Sequence, residues 1–336
     1  MTDHLSMLND EQKIKIQGQE LLKYKFAPGN VFWIKKNNKL VRILKTGDYM
    51  DSEILYKYMN KCAPLVLERL INVKWIEEVF EHFMDLKHAK HLNEQIEARA
   101  KILKLIGKVY WHGLAEGSLI DLINLGEKVF FKIPPNVTRE LYQGEMNFFK
   151  MNALTGIVSV LFSLTVGYMD FEFLEDIYHV SFFVDYSLIE KKLDWTMKEA
   201  IVLEVETPGE GVKELSKQAD KENLNRFVSH PGQSYIGVKE KIKDLFNTKD
   251  CLNLLTKHHE ALNGLGFPYG LAENQLSDLE TIIISSSRCF QLDQELILGD
   301  GKEFLKDIRK FISNIISVAL KSCFESQGDS NISRVA

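Results

Sequence analysis

The chain has 336 residues, of which 45% are apolar and 26% charged, an ordinary globular composition with length enough for about two domains. Its formal charge of −5 argues against a protein built to neutralise nucleic-acid phosphates, and no basic block interleaved with aromatics is present. Four scattered cysteines (Cys62, Cys251, Cys289 and Cys323) form no C-x-x-C pair, so neither a zinc ribbon nor a disulfide framework is expected, and a reducing cytoplasm is the default location.

In chain order, residues 1–26 read as a polar helical lead-in without the apolar core of a secretory signal. Two strand-like runs, Val31 to Lys35 and Leu40 to Leu44, flank the turn signal Asn37-Asn38 and predict a β-hairpin. Asp51 or Ser52 can cap a short helix ending before Pro64, and "PLVLERL" reads as a further strand. Apolar residues at near-helical spacing run from Trp75 to Tyr110. That is too long for one ordinary helix, so a break is expected near 87–93. His88 and His91 stand three apart there and could share a metal, but no third ligand is close in sequence, which favours a solvated or partner-facing surface. The domain boundary is placed near Pro134 to Gly144, giving an accessory domain over 1–140 and a helical domain over 141–336.

Met151 to Met169 carries no charge and is long enough to span a bilayer. However, it contains Asn152, Thr155, Ser159, Ser163 and Thr165, and acidic residues follow at once. A buried core helix is therefore expected, with no membrane span. Beyond it the pattern is helical, with loops near 207–212, 229–234 and 263–275 and a last helix over Lys302 to Phe324.

Four residues in this half are candidate metal ligands: Asp185 in "FFVDYSL", His230 in "VSHPGQSYIG", and His258 with His259 in "TKHHEALNGLGFPYG". Imidazoles and a carboxylate suit iron, manganese or zinc, and separate helices can bring such groups to one point. Taken singly, each histidine also fits a turn or core role.

In their order these segments resemble the HD-GYP domain, a helical phosphodiesterase family that opens cyclic di-GMP. The run His258-His259-Glu260, then Asn263, Gly264, Gly266, Phe267 and Pro268, is similar to the family's H-H-E-x-x-D-G-x-G-Y-P. The stretch "SHPGQSYIG" resembles its H-P-x-x-G segment, and "LEDIYHVSFFVDYSL" falls in step with the helix ending in H-D. The resemblance covers about residues 145–320. It implies a mainly α fold, an HD-GYP-like helical bundle preceded by a small α+β domain with a β-hairpin. "VFWIKKNNKLVRILKTGDYMDSEILYKYMNK" is similar to accessory domains that precede some bacterial members.

The resemblance also implies a damaged site. One ligand set falls on Asp185, His230, His258 and His259, all present. The second falls on Asn152, Val184, Asp185 and Ser287, of which only Asp185 is a good ligand. A lysine expected to hold substrate phosphate falls at Leu188. The motif's aspartate is Asn263 and its tyrosine is Phe267. Glu260 reads as a structural acceptor, and Gly264, Gly266 and Pro268 as a turn. The implied cofactor is one iron, manganese or zinc ion, the alternative being a relic site without metal. The function expected first is a catalytically degenerate protein of bacterial cyclic di-GMP signalling that works through a protein partner, with a GGDEF-type domain as candidate and a homodimer permitted by the 75–110 region. The alternatives are a cyclic-dinucleotide receptor without turnover, with Arg226 and Arg288 as candidate phosphate contacts, and a slow single-metal phosphohydrolase.

Overall fold

Near the N-terminus the alternating pattern "KIKI" sets a strand, not the expected helix: β1 (Lys13–Ile16) pairs antiparallel with β4 (Leu65–Arg69), and only one helical turn, α1 (Gly18–Leu21), follows it. Alternation at period two lets Ile16 face the apolar side while Lys15 faces water. The hairpin forms as the sequence implies, with β2 (Gly29–Ile34) antiparallel to β3 (Leu40–Leu44). With β4 beside β2 the sheet order is β1-β4-β2-β3, and α2 (Ser52–Met59) connects β3 to β4. The computed structural model describes residues 13–36, 39–50, 52–61, 63–69, 71–111, 119–144, 146–189, 195–218, 221–261 and 263–287. The expected turn at Asn37-Asn38, the last helix over 302–324, and Arg288 lie outside them.

The rest of the described chain is helical, so the protein is mainly α with one small four-stranded antiparallel sheet. The long apolar run from Trp75 splits into α3 (Val73–His88) and α4 (Leu92–Trp111). Asn72 caps α3 by accepting from the Trp75 amide at 3.1 Å, which fixes its start. His88 and His91 lie on either side of the break between the two helices. They are not on one helical face, as shared ligation by an i,i+3 pair would need.

After α5 (Leu119–Phe130) and α6 (Pro135–Gly144) comes α7 (Met146–Val166), among the described residues the one helix long and apolar enough to cross a membrane. Its apolar window is 89% buried inside the protein, as expected of a core helix. Two of the small polar residues on α7 are satisfied locally: Ser159 donates to the Thr155 carbonyl and accepts from the Ser181 hydroxyl at 2.7 Å, and Thr165 donates to the Leu161 carbonyl. Gly156 allows the Tyr178 ring to lie against the helix, since a Cβ there would stand 3.0 Å from the ring. The Arg99 guanidinium donates to the carbonyls of Leu164 and Thr165 at the C-terminal end of α7.

Two apolar clusters organise the interior. The smaller lies under the sheet, from Ile16 through Val31 and Leu55 to Leu67. The larger draws on α3 and on every later α-helix, including α8 (Phe171–Phe182), α9 (Tyr186–Ile189), α10 (Trp195–Glu206), α11 (Glu210–Lys217), α12 (Lys221–Lys241) and α13 (Asp278–Ser287), and also takes in Phe26 and Tyr49 from the N-terminal part. Phe26 packs on Phe149 of α7 at 5.4 Å between ring centres. Beside this contact the Lys150 ammonium meets the Asp48 carboxylate at 2.6 Å, with side chains only 8% and 11% exposed. Asp48 also accepts from the Lys45 amide, which holds its turn. A charge pair this buried stabilises little by being present, but removing one partner strands the other. Replacing Lys150 by Met should therefore lower stability by about 3–5 kcal/mol. The pair Lys150→Met/Asp48→Asn should recover most of that loss, both read from urea denaturation midpoints.

Candidate metal centre

Each candidate ligand is placed by a different element. Asp185 sits in the turn between α8 (Phe171–Phe182) and α9 (Tyr186–Ile189), and its carbonyl accepts from the amides of Leu188 and Ile189. The capping carboxylate of Asp170 starts α8 by accepting from the Phe173 amide at 2.8 Å. Further along α8, Asp176 accepts from the amides of Asn247 and Thr248 at 2.8 and 2.7 Å. These bonds tie the head of a 3₁₀ segment, Lys249–Lys257, to α8, and buried Leu252, Leu254 and Leu255 seat it in the core. His258 and His259 follow directly. His230 comes from α12 (Lys221–Lys241), which runs unbroken through the expected loop at 229–234 with Pro231 inside it. The serine pair Ser187 and Ser234 joins α9 to α12: the Ser187 amide donates to Ser234, and the Ser187 hydroxyl donates to the His230 carbonyl.

Asp185, His230, His258 and His259 each bring one ligating atom into a group in which all four lie within 4.8 Å of one another. All three histidines are buried. His230 Nδ1 stands 2.5 Å from the Phe227 carbonyl, and His258 Nδ1 stands 2.8 Å from the Leu255 carbonyl. A carbonyl can only accept, so each Nδ1 carries the hydrogen and each Nε2 keeps its lone pair. These lone pairs face the same point. His230 Nε2 and His258 Nε2 are 3.1 Å apart, and Asp185 Oδ1 lies 3.4 Å from the first and 3.5 Å from the second.

Such a donor set fits a metal ion. Ligating imidazoles usually have the other ring nitrogen fixed by a carbonyl or carboxylate, as both do here. Three imidazoles and one carboxylate suit iron, manganese or zinc. Burial raises the Asp185 carboxyl, but the adjoining His230 and His258 imidazoles outweigh it and hold the group well below the usual carboxylate range. Burial lowers His230 below the usual imidazole range against the pull of Asp185, so the free imidazole is favoured. An anionic carboxylate beside neutral imidazoles is the state that binds a cation.

The loop after His259 folds back on the cluster. Glu260 is fully buried, and its two carboxylate oxygens accept from the amides of Tyr269 and Leu271, both at 2.7 Å. It is thus an acceptor that closes a loop. Gly266 is needed at the closest approach, where a Cβ would come within 2.3 Å of the His259 carbonyl. The closure brings the Phe267 ring flat against His259, 4.6 Å between centres at 11°. Phe227 packs on His230, His259 and Phe267 from α12. Gly264 takes a positive φ, Asn263 accepts from the Leu265 amide, and Pro268 is exposed on the turn.

Of the residues aligned with a second ion, Val184 is buried at 1% exposure and belongs to the apolar core, as does Leu188 at 0%. Asn152 is buried on α7, and Ser287, at the end of α13 (Asp278–Ser287), donates to the His258 and Ile284 carbonyls. Reading the sequence for ligands passed over Phe227 and Leu255, whose carbonyls orient two histidines. Only helical spacing could have flagged them, since each lies three residues before its histidine.

The fold and site thus define a mainly α protein with a buried three-histidine, one-aspartate cluster able to hold a metal ion. No protein-family model matches the sequence, and no curated protein matches it. Among solved structures, Bd1817 from Bdellovibrio bacteriovorus, described as an HDG"Y"P protein, is similar over 93% of this chain and 99% of its own, at 17% identity and a TM-score of 0.36.

If the Phe267 ring holds His259 in place, Phe267→Ala should weaken zinc binding about tenfold or more, the usual scale for groups that orient a ligand. Phe267→Tyr, which keeps the ring, should leave it near the parent value. Competition titration against a chromophoric chelator measures both.

Proposed function

We propose that this chain is an HD-GYP-like protein that holds one metal ion on Asp185, His230, His258 and His259, does not open cyclic di-GMP, and acts in bacterial cyclic di-GMP signalling by binding another protein. The observation that carries this reading is the contrast within one site. Four ligating atoms converge, while the aligned positions beside them hold buried Val184 and Leu188, which donate no electron pair and carry no charge.

Phosphodiester hydrolysis on paired metals uses a hydroxide activated between them and a second cation to stabilise the departing oxygen. Among the positions aligned with the second ion, Asn152 and Ser287 are weak neutral donors and Val184 is none, so that ion loses most of its binding energy. Leu188 leaves no ammonium for the substrate phosphate. Each lost element of electrostatic stabilisation slows such a reaction by roughly a hundredfold to a thousandfold, and the losses here compound. A single bound ion then serves to fasten α12 and the 258–259 turn to the end of α8.

A binding role is supported by the loop that Glu260 closes. Leu265 and Tyr269 stand on it at 60% and 62% exposure, on either side of the buried Phe267. Exposed aromatic and aliphatic side chains on a tethered backbone are common anchors at protein interfaces. A GGDEF-type domain is the candidate partner, carried from the sequence resemblance.

Elemental analysis of the purified, untagged protein should find about one iron, manganese or zinc per chain. The His258→Ala/His259→Ala variant should have none, and the parent should leave cyclic di-GMP intact over hours. A metal-free parent, or turnover of cyclic di-GMP by it, would overturn the proposal.

A further inference from the structure

Pro231 lies in the interior of α12, where proline normally destabilises a helix because it lacks the amide hydrogen and its ring crowds the carbonyl four residues back. The carbonyl four residues before Pro231 is that of Phe227. This same carbonyl stands 2.5 Å from His230 Nδ1. In an unbroken helix it would accept from the amide of residue 231. With proline there, no such amide exists, and the freed carbonyl takes the imidazole of the preceding residue instead.

We propose that Pro231 is a positioning residue for the metal centre: by leaving the Phe227 carbonyl without its helical donor, it directs the His230 Nδ1–H to that carbonyl and turns Nε2 toward Asp185 and His258. The inference deepens the single-metal reading and rests on it for the identity of the occupant. It gives a reason for a proline at a buried helical position where local stability argues against one. The other side of His230 is held separately, since its own carbonyl accepts from Ser187. The ring is set by the bond from Nδ1 to the Phe227 carbonyl and by the Phe227 and His259 rings packed on it, with Nε2 facing His258 Nε2 at 3.1 Å.

Pro231→Ala separates this role from a structural one, because the two effects have opposite signs. Alanine restores the amide and suits a helix, so the metal-free variant should unfold at a higher denaturant concentration than the parent. Its affinity for zinc should nevertheless fall by about tenfold or more, as the returned amide competes for the Phe227 carbonyl. Nitrogen-15 NMR of the metal-free proteins supplies a readout that needs no metal. His230 in the parent should be the tautomer with hydrogen on Nδ1, and in Pro231→Ala a mixture of both.

Higher stability with lower affinity and a mixed tautomer supports the proposal. Unchanged affinity and an unchanged tautomer overturn it. A parent that binds no zinc, with the tautomer still shifting in the variant, sustains the orienting role of Pro231 and sinks the single-metal reading alone.

Discussion

Two imidazole nitrogens stand 3.1 Å apart with a carboxylate oxygen within 3.5 Å of both, an arrangement of buried acceptors that calls for a proton or a cation between them. Both Nδ1 hydrogens are committed to backbone carbonyls, so the opposing lone pairs have nothing of their own to offer one another. A shared cation would resolve this conflict, and much of the surrounding architecture keeps the groups in place. The Asp176 carboxylate pins the 3₁₀ segment, the Ser187–Ser234 pair pins α9 to α12, and Glu260 closes the loop that lays Phe267 on His259.

The position of Asp185 in turn depends on packing that reaches the N-terminal part. Phe26 touches Phe149, Phe149 touches Phe182, Phe182 touches Phe183, and Phe183 touches Tyr186, each at 5.2–5.8 Å between ring centres. Val184 and Asp185 lie between the last two rings in sequence. The sheet and its turn, with the Lys150–Asp48 pair, therefore brace the same helix ends that present the carboxylate. Packed aromatic edges tolerate little displacement, which suits a ligand that must meet three others.

Much of this was legible from residue patterns. Alternation and a turn signal marked the β2–β3 hairpin, and polar residues inside the 151–169 run marked α7 as core. The four candidate ligands that the structure brings together could be picked out because histidine and aspartate are conspicuous and stand in the order of the motifs they resemble. Three readings went astray for physical reasons. Residues 13–16 were taken as helix because their strand character depends on β4, which is far away in sequence. The 229–234 segment was taken as a loop because Pro231 and Gly232 usually break helices, yet here the chain continues and the freed carbonyl finds another donor. His88 and His91 were placed on one helix, although the break falls between them. What no pattern could give was the backbone's part in the site. The carbonyls of Phe227 and Leu255 are invisible to side-chain chemistry.

The central claim is that one ion joins these four side chains. Anomalous diffraction at the absorption edge of the bound metal tests it most directly, on crystals grown with iron, manganese or zinc. The account requires one peak, within bonding distance of His230 Nε2, His258 Nε2, His259 and Asp185. Two peaks sharing Asp185, or none with the histidines still facing each other, would contradict it.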